Sequence, residues 1–169
     1  MINLGIIDKA GRNIALGEVN DANWRAVADV APLDGQRGYV PALAARYLLL
    51  SMYEQDWNSL AVQADEAVVG HIMWARDEDG SYWIGGMVID GAEQGRGAGR
   101  AAVRTLMGWL AERGDCRELR LSYDPDNAVA EGLYSSLGFR PTPDREGDET
   151  VAVLPAQAAL ATAVGRETG

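Results

Sequence analysis

The chain is short of several residue types, and each shortage closes off some chemistry. It has one cysteine, Cys116, so it contains neither a disulfide framework nor a CxxC metal spacing. Its one histidine, His71, rules out most zinc sites and any histidine-rich catalysis, and no metal is expected. Phenylalanine appears once, and Lys9 is the single lysine among 15 lysines and arginines. Acidic residues number 25, so the formal net charge is −10. An average surface of that sign repels nucleic-acid backbones and attracts small cations, or simply keeps the protein in solution. No apolar run reaches the roughly 18 residues of a membrane span. The opening MINLGIIDKAGRN lacks the basic stretch and apolar core of a secretory signal. The expectation is a cytoplasmic protein with no nucleic-acid and no membrane partner.

What remains suits one packed domain. The 169 residues are 47 % hydrophobic, enough for one core. That domain is expected over residues 1–155. Residues 156–169, AQAALATAVGRETG, read as a low-complexity C-terminal tail, either a weak helix or disordered toward its end. Residues 13–19 alternate as a strand, and Asp21 is placed to cap a short helix over 22–29. A turn-rich loop follows. A helical pattern then runs from Pro41 to about Glu54, with the proline in the first turn. Three strands come next, at 59–64, 67–76 and 81–90, with tight turns at Asp65-Glu66 and at 77–80. A strong helix over 98–113 places Val103, Leu106, Met107 and Leu110 on one face, with Gly114 after it. A strand at 117–123 puts Leu119, Leu121 and Tyr123 on one side. A capped helix at 127–137 and a last strand at 149–154 follow. Hairpins mixed with crossovers imply an α+β fold, a mixed sheet with helices on its faces.

The most specific stretch is EQGRGAGRAAV, residues 93–103. Glycines at 95, 97 and 99 let backbone approach a ligand closely. The first N–H groups of the helix that follows would face an anion. Arg96 and Arg100 add positive charge inside an acidic protein. Taken alone, the loop is either a structural turn or a phosphate site. A kinase-type P-loop is excluded, because its lysine is missing. A dinucleotide fingerprint fits poorly, because DGAEQ separates the strand from Gly95 and the early hairpins do not suit a doubly wound sheet.

Gln94-Gly95-Arg96-Gly97-Ala98-Gly99 matches the Q/R-x-x-G-x-G/A motif of the GCN5-related N-acetyltransferases (GNAT), which the sequence resembles across about 13–154. Asn127 and the downstream AxxLYxxLGF at 130–139 resemble the family's second motif. YWIGGMVID and LSYDPDN resemble, less specifically, a bacterial subgroup that acetylates spermidine and related polyamines. The resemblance implies a GNAT-like, mostly antiparallel central sheet flanked by helices. It implies acetyl-CoA or another acyl-CoA as cofactor, with its pyrophosphate on the backbone of residues 95–100, including Arg96, Ala98 and Arg100. It also implies that Met87, Val88 and Ile89 pair with the pantetheine arm at a splay in the sheet. Asn127 would order the cofactor arm, and Tyr134 would protonate the departing thiolate as general acid. A capping asparagine and a core tyrosine are the competing readings of those two residues.

The acceptor implied is a primary amine of a small cationic molecule, a polyamine first. An antibiotic or other metabolite amine, acyl transfer from a carrier such as aminoacyl-tRNA, and a non-catalytic CoA-binding module stand as alternatives. Tyr53, Glu54, Asp56, Trp83 and Asp124 are the candidate acceptor residues, since aromatic faces with carboxylates suit a cation. The strand before the loop carries no glutamate, where many relatives have a base. That leaves His71, or a water chain to Glu54, Asp56, Asp124 or Glu149, to deprotonate the amine. The resemblance also suggests a homodimer.

Overall fold

A computed structural model describes residues 1–165. Seven strands form one sheet in the order β1-β2-β3-β4-β5-β7-β6. They are β1 (Ile14–Glu18), β2 (Asn58–Ala64), β3 (Ala67–Arg76), β4 (Ser81–Ile89), β5 (Glu118–Tyr123), β6 (Arg140–Glu146) and β7 (Glu149–Pro155). Every neighbouring pair is antiparallel except β4 with β5, which is parallel. The helices are α1 (Trp24–Ala28), α2 (Ala45–Tyr53), α3 (Ala98–Ala111), α4 (Ala128–Ser136) and α5 (Ala156–Val164).

Alternation along the strands sorts the helices between the two faces. Val69, Ile72, Ile89, Leu119 and Leu121 face the main core, where Val103, Leu106, Met107 and Leu110 of α3 are fully buried. Val68 and Val88, one residue out of step, face the other way. There they meet Val30 and Ala44 at the ends of the α1–α2 connection, together with Tyr47. The helix stripe and the strand parity thus select opposite faces for α3 and α2.

Several boundaries shift for physical reasons. Asp21 does not cap α1. Asn23 is the N-cap residue, and the Asn20 and Asn23 side-chain oxygens accept from Ala22 and Asn20 N–H instead. The helix expected from Pro41 begins at Ala45, because the Ala44 N–H bonds the Val30 carbonyl and so docks the chain before the helix starts. β6 goes beyond the sequence reading. RPTPDRE has no apolar alternation, and it forms an edge strand held by backbone pairing to β7. Of the two readings of the segment after Pro155, the helix is found over 156–164. Ala159 is fully buried in the main core, so this segment belongs to the domain. The disorder expected toward the tail's end falls on residues outside those described. No described helix is long and apolar enough to cross a membrane.

His71 sits on β3 with no exposure, and burial depresses its pKa to about 4. The folded ring resists a proton that the unfolded chain accepts near pH 6.5. Stability contributed by the neutral ring is therefore full above pH 6.5 and is lost as the pH falls toward 4. Denaturant unfolding at a series of pH values should show His71→Asn flattening that decline by up to about 3 kcal/mol relative to the unsubstituted protein.

Candidate active site

The site begins where two strands stop pairing. β4 and β5 are joined only through Ser81–Trp83 and Glu118–Arg120. Past these residues the strands part, and the backbone of β4 from Ile84 onward has no strand partner on the β5 side. On its other side β4 remains paired with β3, but the register shifts between His71 and Met73. Two residues of β4, Gly86 and Met87, stand against Ile72 alone, which is a β-bulge. Gly86 takes φ +56°, and a Cβ there would lie 2.9 Å from Met73 side-chain atoms. A Cβ on Gly85 would meet the Trp57 ring at 3.0 Å. The glycine pair thus permits both the bend and the close approach of Trp57.

The glycine-rich stretch turns from the end of β4 into α3. Gln94 anchors it: its amide donates to the Ile89 carbonyl at 3.0 Å and exchanges hydrogen bonds with Gln36. The Lys9 N–H donates to the Arg96 carbonyl at 2.8 Å, laying the N-terminal segment along the loop. Gly97, at φ +86°, is the N-cap of α3. The first helical bond runs from Ala101 N–H to the Gly97 carbonyl, so the N–H groups of Ala98, Gly99 and Arg100 precede any intrahelical partner. A backbone cradle for an anion therefore stands at the N-terminus of a 14-residue helix. The Arg96 guanidinium is 3.4 Å from Glu93, and Arg100 donates to Ser136 of α4 at 2.5 Å.

α4 supplies the opposite wall. Asn127 is its N-cap, with the side-chain oxygen accepting from Ala130 N–H at 3.1 Å. Tyr134 packs between Tyr123 and Phe139, with ring centroids 5.9 and 6.1 Å away. Its hydroxyl makes no hydrogen bond among the described residues and belongs to the lining of the cleft. Burial above all, with the Tyr47 hydroxyl and Glu149 carboxylate nearby, raises the phenol above its ordinary pKa. Tyr47 is raised in the same way to about 12, by burial and by Glu149 against the opposing effect of Arg46. Both phenols stay protonated through the neutral range.

One cleft of about 1180 Å³ joins these parts. Its lining brings together Met87, Val88, Ile89, Gln94, Gly95, Gly97, Ala98, Gly99, Arg100, Asn127 and Tyr134 from the sequence-based set. Arg96 does not line it. Among the acceptor candidates, Asp56, Trp83 and Asp124 line the cleft, while Tyr53 and Glu54 do not. Tyr53 is 83 % exposed, because it lies six residues beyond Tyr47 and turns to a different side of α2. Glu54 lies just past the helix end. Sequence reasoning did not name Glu146, which also lines the cleft, nor the β4 bulge. The Gly85-Gly86 pair inside a strand pattern was the available signal for the bulge.

The Acetyltransferase (GNAT) family matches residues 27–139. The chain belongs to that family. It is 33 % identical over 122 residues to a mycothiol acetyltransferase of Kocuria rhizophila, a match covering 67 % of this chain and 35 % of that protein. The chain therefore spans about a third of that relative. It is 27 % identical over 136 residues to the spermine/spermidine N(1)-acetyltransferase of Bacillus subtilis, covering 76 % of this chain and 88 % of that protein. In fold it is similar to the aminoglycoside acetyltransferase AAC(6')-Ib solved with coenzyme A, with TM-score 0.73 and 16 % identity over 86 % of this chain and 96 % of that one. It is also similar in fold to the spermidine N-acetyltransferase of Vibrio cholerae solved with CoA and spermine, with TM-score 0.67 and 13 % identity over 87 % of this chain and 98 % of that one.

Gly86→Ala tests the bulge. A left-handed φ costs an L-residue about 1–2 kcal/mol, and Met73 must also move. Equilibrium denaturation should show a loss of at least about that size, whereas Gly114→Ala, with open space around it, should change stability little.

Proposed function

We propose that this protein transfers an acyl group from acyl-CoA to the primary amine of a small cationic acceptor, a polyamine being the first candidate. The observation that carries this reading is the continuity of one cleft from the N-terminus of α3, along the open side of β4, to the unpartnered hydroxyl of Tyr134. The cleft fits the cofactor. Its glycine-rich turn offers N–H groups to a diphosphate, and a Cβ at Gly99 would already crowd Ile89 at 3.3 Å. Lys9 and Arg100 add positive charge to the lining beside this turn.

Acyl-CoA supplies an activated thioester, and the protein supplies place and charge. The backbone of Gly85–Val88, without a strand partner on the β5 side, would hold the arm and aim a donor at the acyl oxygen. Asn127 caps α4 and so fixes the helix that presents Tyr134. Tyr134 donates to the leaving sulfur. A thiol has a pKa near 8.5, roughly, and the phenol's is above its usual 10, so the phenol gives up its proton only while the sulfur's bond breaks and takes one back from the N–H of the attacking amine.

The acceptor side is acidic. Glu146 and Glu149 pair across β6 and β7, and Asp124 follows the end of β5 beside them. All three line the cleft with Asp56. Trp57 and Trp83 add aromatic faces there, which suits an alkylammonium. Glu149 is the carboxylate whose field reaches both Tyr47 and Tyr134, and Ser122 orients it from 2.5 Å. It is the proton acceptor we assign to the incoming ammonium, in preference to Glu54, which lies outside the cleft. The Bacillus subtilis and Vibrio cholerae relatives, named for spermine and spermidine, support the polyamine reading. The protein is expected to act in the cytoplasm.

Free-thiol release from acetyl-CoA with a panel of amines tests the reaction. Spermidine or spermine should outperform neutral amines, and no release with any amine, despite CoA binding, would leave only a CoA-binding module. Tyr134→Phe should lower turnover by at least roughly tenfold. Because the Tyr134 pKa is raised, the rate should show no fall as the pH climbs to about 10; a Tyr134-dependent fall below that would overturn its role. For the anion cradle, Gly95 is the informative position: its φ is +79° and the space around it is open. Asn and Asp both tolerate that conformation, so only their charge differs. By calorimetry Gly95→Asp should weaken CoA binding by about tenfold or more relative to Gly95→Asn. Equal affinities would remove the phosphate from this loop.

A further inference from the structure

The single histidine lies directly behind the open stretch of β4. His71 Nδ1 is 2.6 Å from the Gly86 carbonyl oxygen, and Nε2 is 2.9 Å from Ser59 Oγ. Its ring stacks on Tyr47 with centroids 5.5 Å apart and planes 4° from parallel. A carbonyl only accepts, so Nδ1 carries the proton. The buried ring is neutral, so Nε2 accepts, and Ser59 donates to it. Ser51 Oγ lies 2.8 Å from Ser59 Oγ and donates to the Leu48 carbonyl at 3.0 Å, which ties the serine pair to α2. One carbonyl thus sets the direction of the bonds that run from Ser59 of β2 through His71 of β3 to the bulge of β4. Neither nitrogen is free for an amine, and His71 does not line the cleft, whereas Gly86 and Tyr47 do. The ring is therefore not the general base.

We infer that His71 is a positioning residue for acyl transfer: it fixes the Gly86 peptide and thereby the open backbone at which the acyl group is held. This rests on the acyltransferase reading given above. Gly86 is left-handed and glycine is the most mobile residue type, so its peptide plane needs an outside constraint. The bond at 2.6 Å is that constraint, and the Tyr47 ring keeps the imidazole in plane. The same tyrosine faces the cleft, so the wall of the acceptor pocket and the acyl-holding strand share one support.

Two substitutions separate the roles of the ring nitrogens. An asparagine amide reaches the place of Nδ1, and a glutamine amide reaches the place of Nε2. His71→Asn should keep the Gly86 bond and hold kcat within about threefold of the unsubstituted enzyme. His71→Gln should lose that bond and lower kcat by roughly tenfold to a hundredfold. CoA affinity should stay within about twofold in both, because the glycine-rich turn is untouched. Ser59→Ala, which leaves the Gly86 bond in place, should resemble His71→Asn. Independently of turnover, amide hydrogen exchange across Gly85–Ile89 should speed up by about tenfold in His71→Gln and not in His71→Asn. Equal loss of kcat in the two variants, a parallel loss of CoA affinity, or unchanged exchange in His71→Gln would overturn the positioning role. If the unsubstituted protein transfers to no amine, the acyltransferase reading falls, while the exchange comparison still decides whether His71 fixes the bulge.

Discussion

Everything at this site depends on hydrogen bonds that β4 and β5 do not make. A sheet closes its ladders wherever it can, because a buried unpaired backbone group costs roughly 1–3 kcal/mol. Here pairing stops at Trp83 and Arg120, and the strands part. The sheet stays open because β4 is held from its other side. The bulge at Gly86 breaks the regular repeat, His71 ties the Gly86 carbonyl, and the Ile89 carbonyl is taken by Gln94. The unpaired N–H and C=O groups between those anchors face a cleft, where a guest or water satisfies them.

The two ends of that open strand are built on different principles. The α3 end uses main-chain donors, which carry no side-chain entropy and tolerate any residue that keeps the turn. The β5 end carries carboxylates on adjacent strand termini. A protein with net charge −10 can hold an anionic cofactor only where backbone dipoles and a few cations reverse the local field. The sequence places Lys9, Arg96 and Arg100 in just that region.

The legible parts were those with local signatures. The α3 stripe and the β5 alternation were readable because both bury one face at the helix or strand period. The glycine-rich turn was readable because glycines at that spacing have a backbone use. Asn127 is the helix cap that its competing reading expected, and Tyr134 of the downstream AxxLYxxLGF lies in the cleft lining. What escaped notice depends on partners far away in the chain. β6 is an edge strand without apolar pattern, formed only because β7 offers it a ladder. The start of α2 is set by a bond from Ala44 to Val30. Tyr53 and Glu54 shared the chemistry of the acceptor residues but not the orientation, which a two-turn helix fixes to within a single residue. His71 was visible as a lone histidine, but its contacts with Gly86, Ser59 and Tyr47 come from three other elements.

The close approach at Gly108 has a consequence for how the domain assembles. A Cβ on that glycine of α3 would lie 2.7 Å from Leu4 and 2.9 Å from Ala163. Residues near opposite ends of the described chain thus seal the same helix. Contacts of such long sequence separation form slowly, because their loop entropy must be paid before they contribute anything. During synthesis, the outer face of α3 stays bare until α5 has left the ribosome. That face of α3 is therefore completed only by the last helix, although its other contacts are made by residues synthesised earlier.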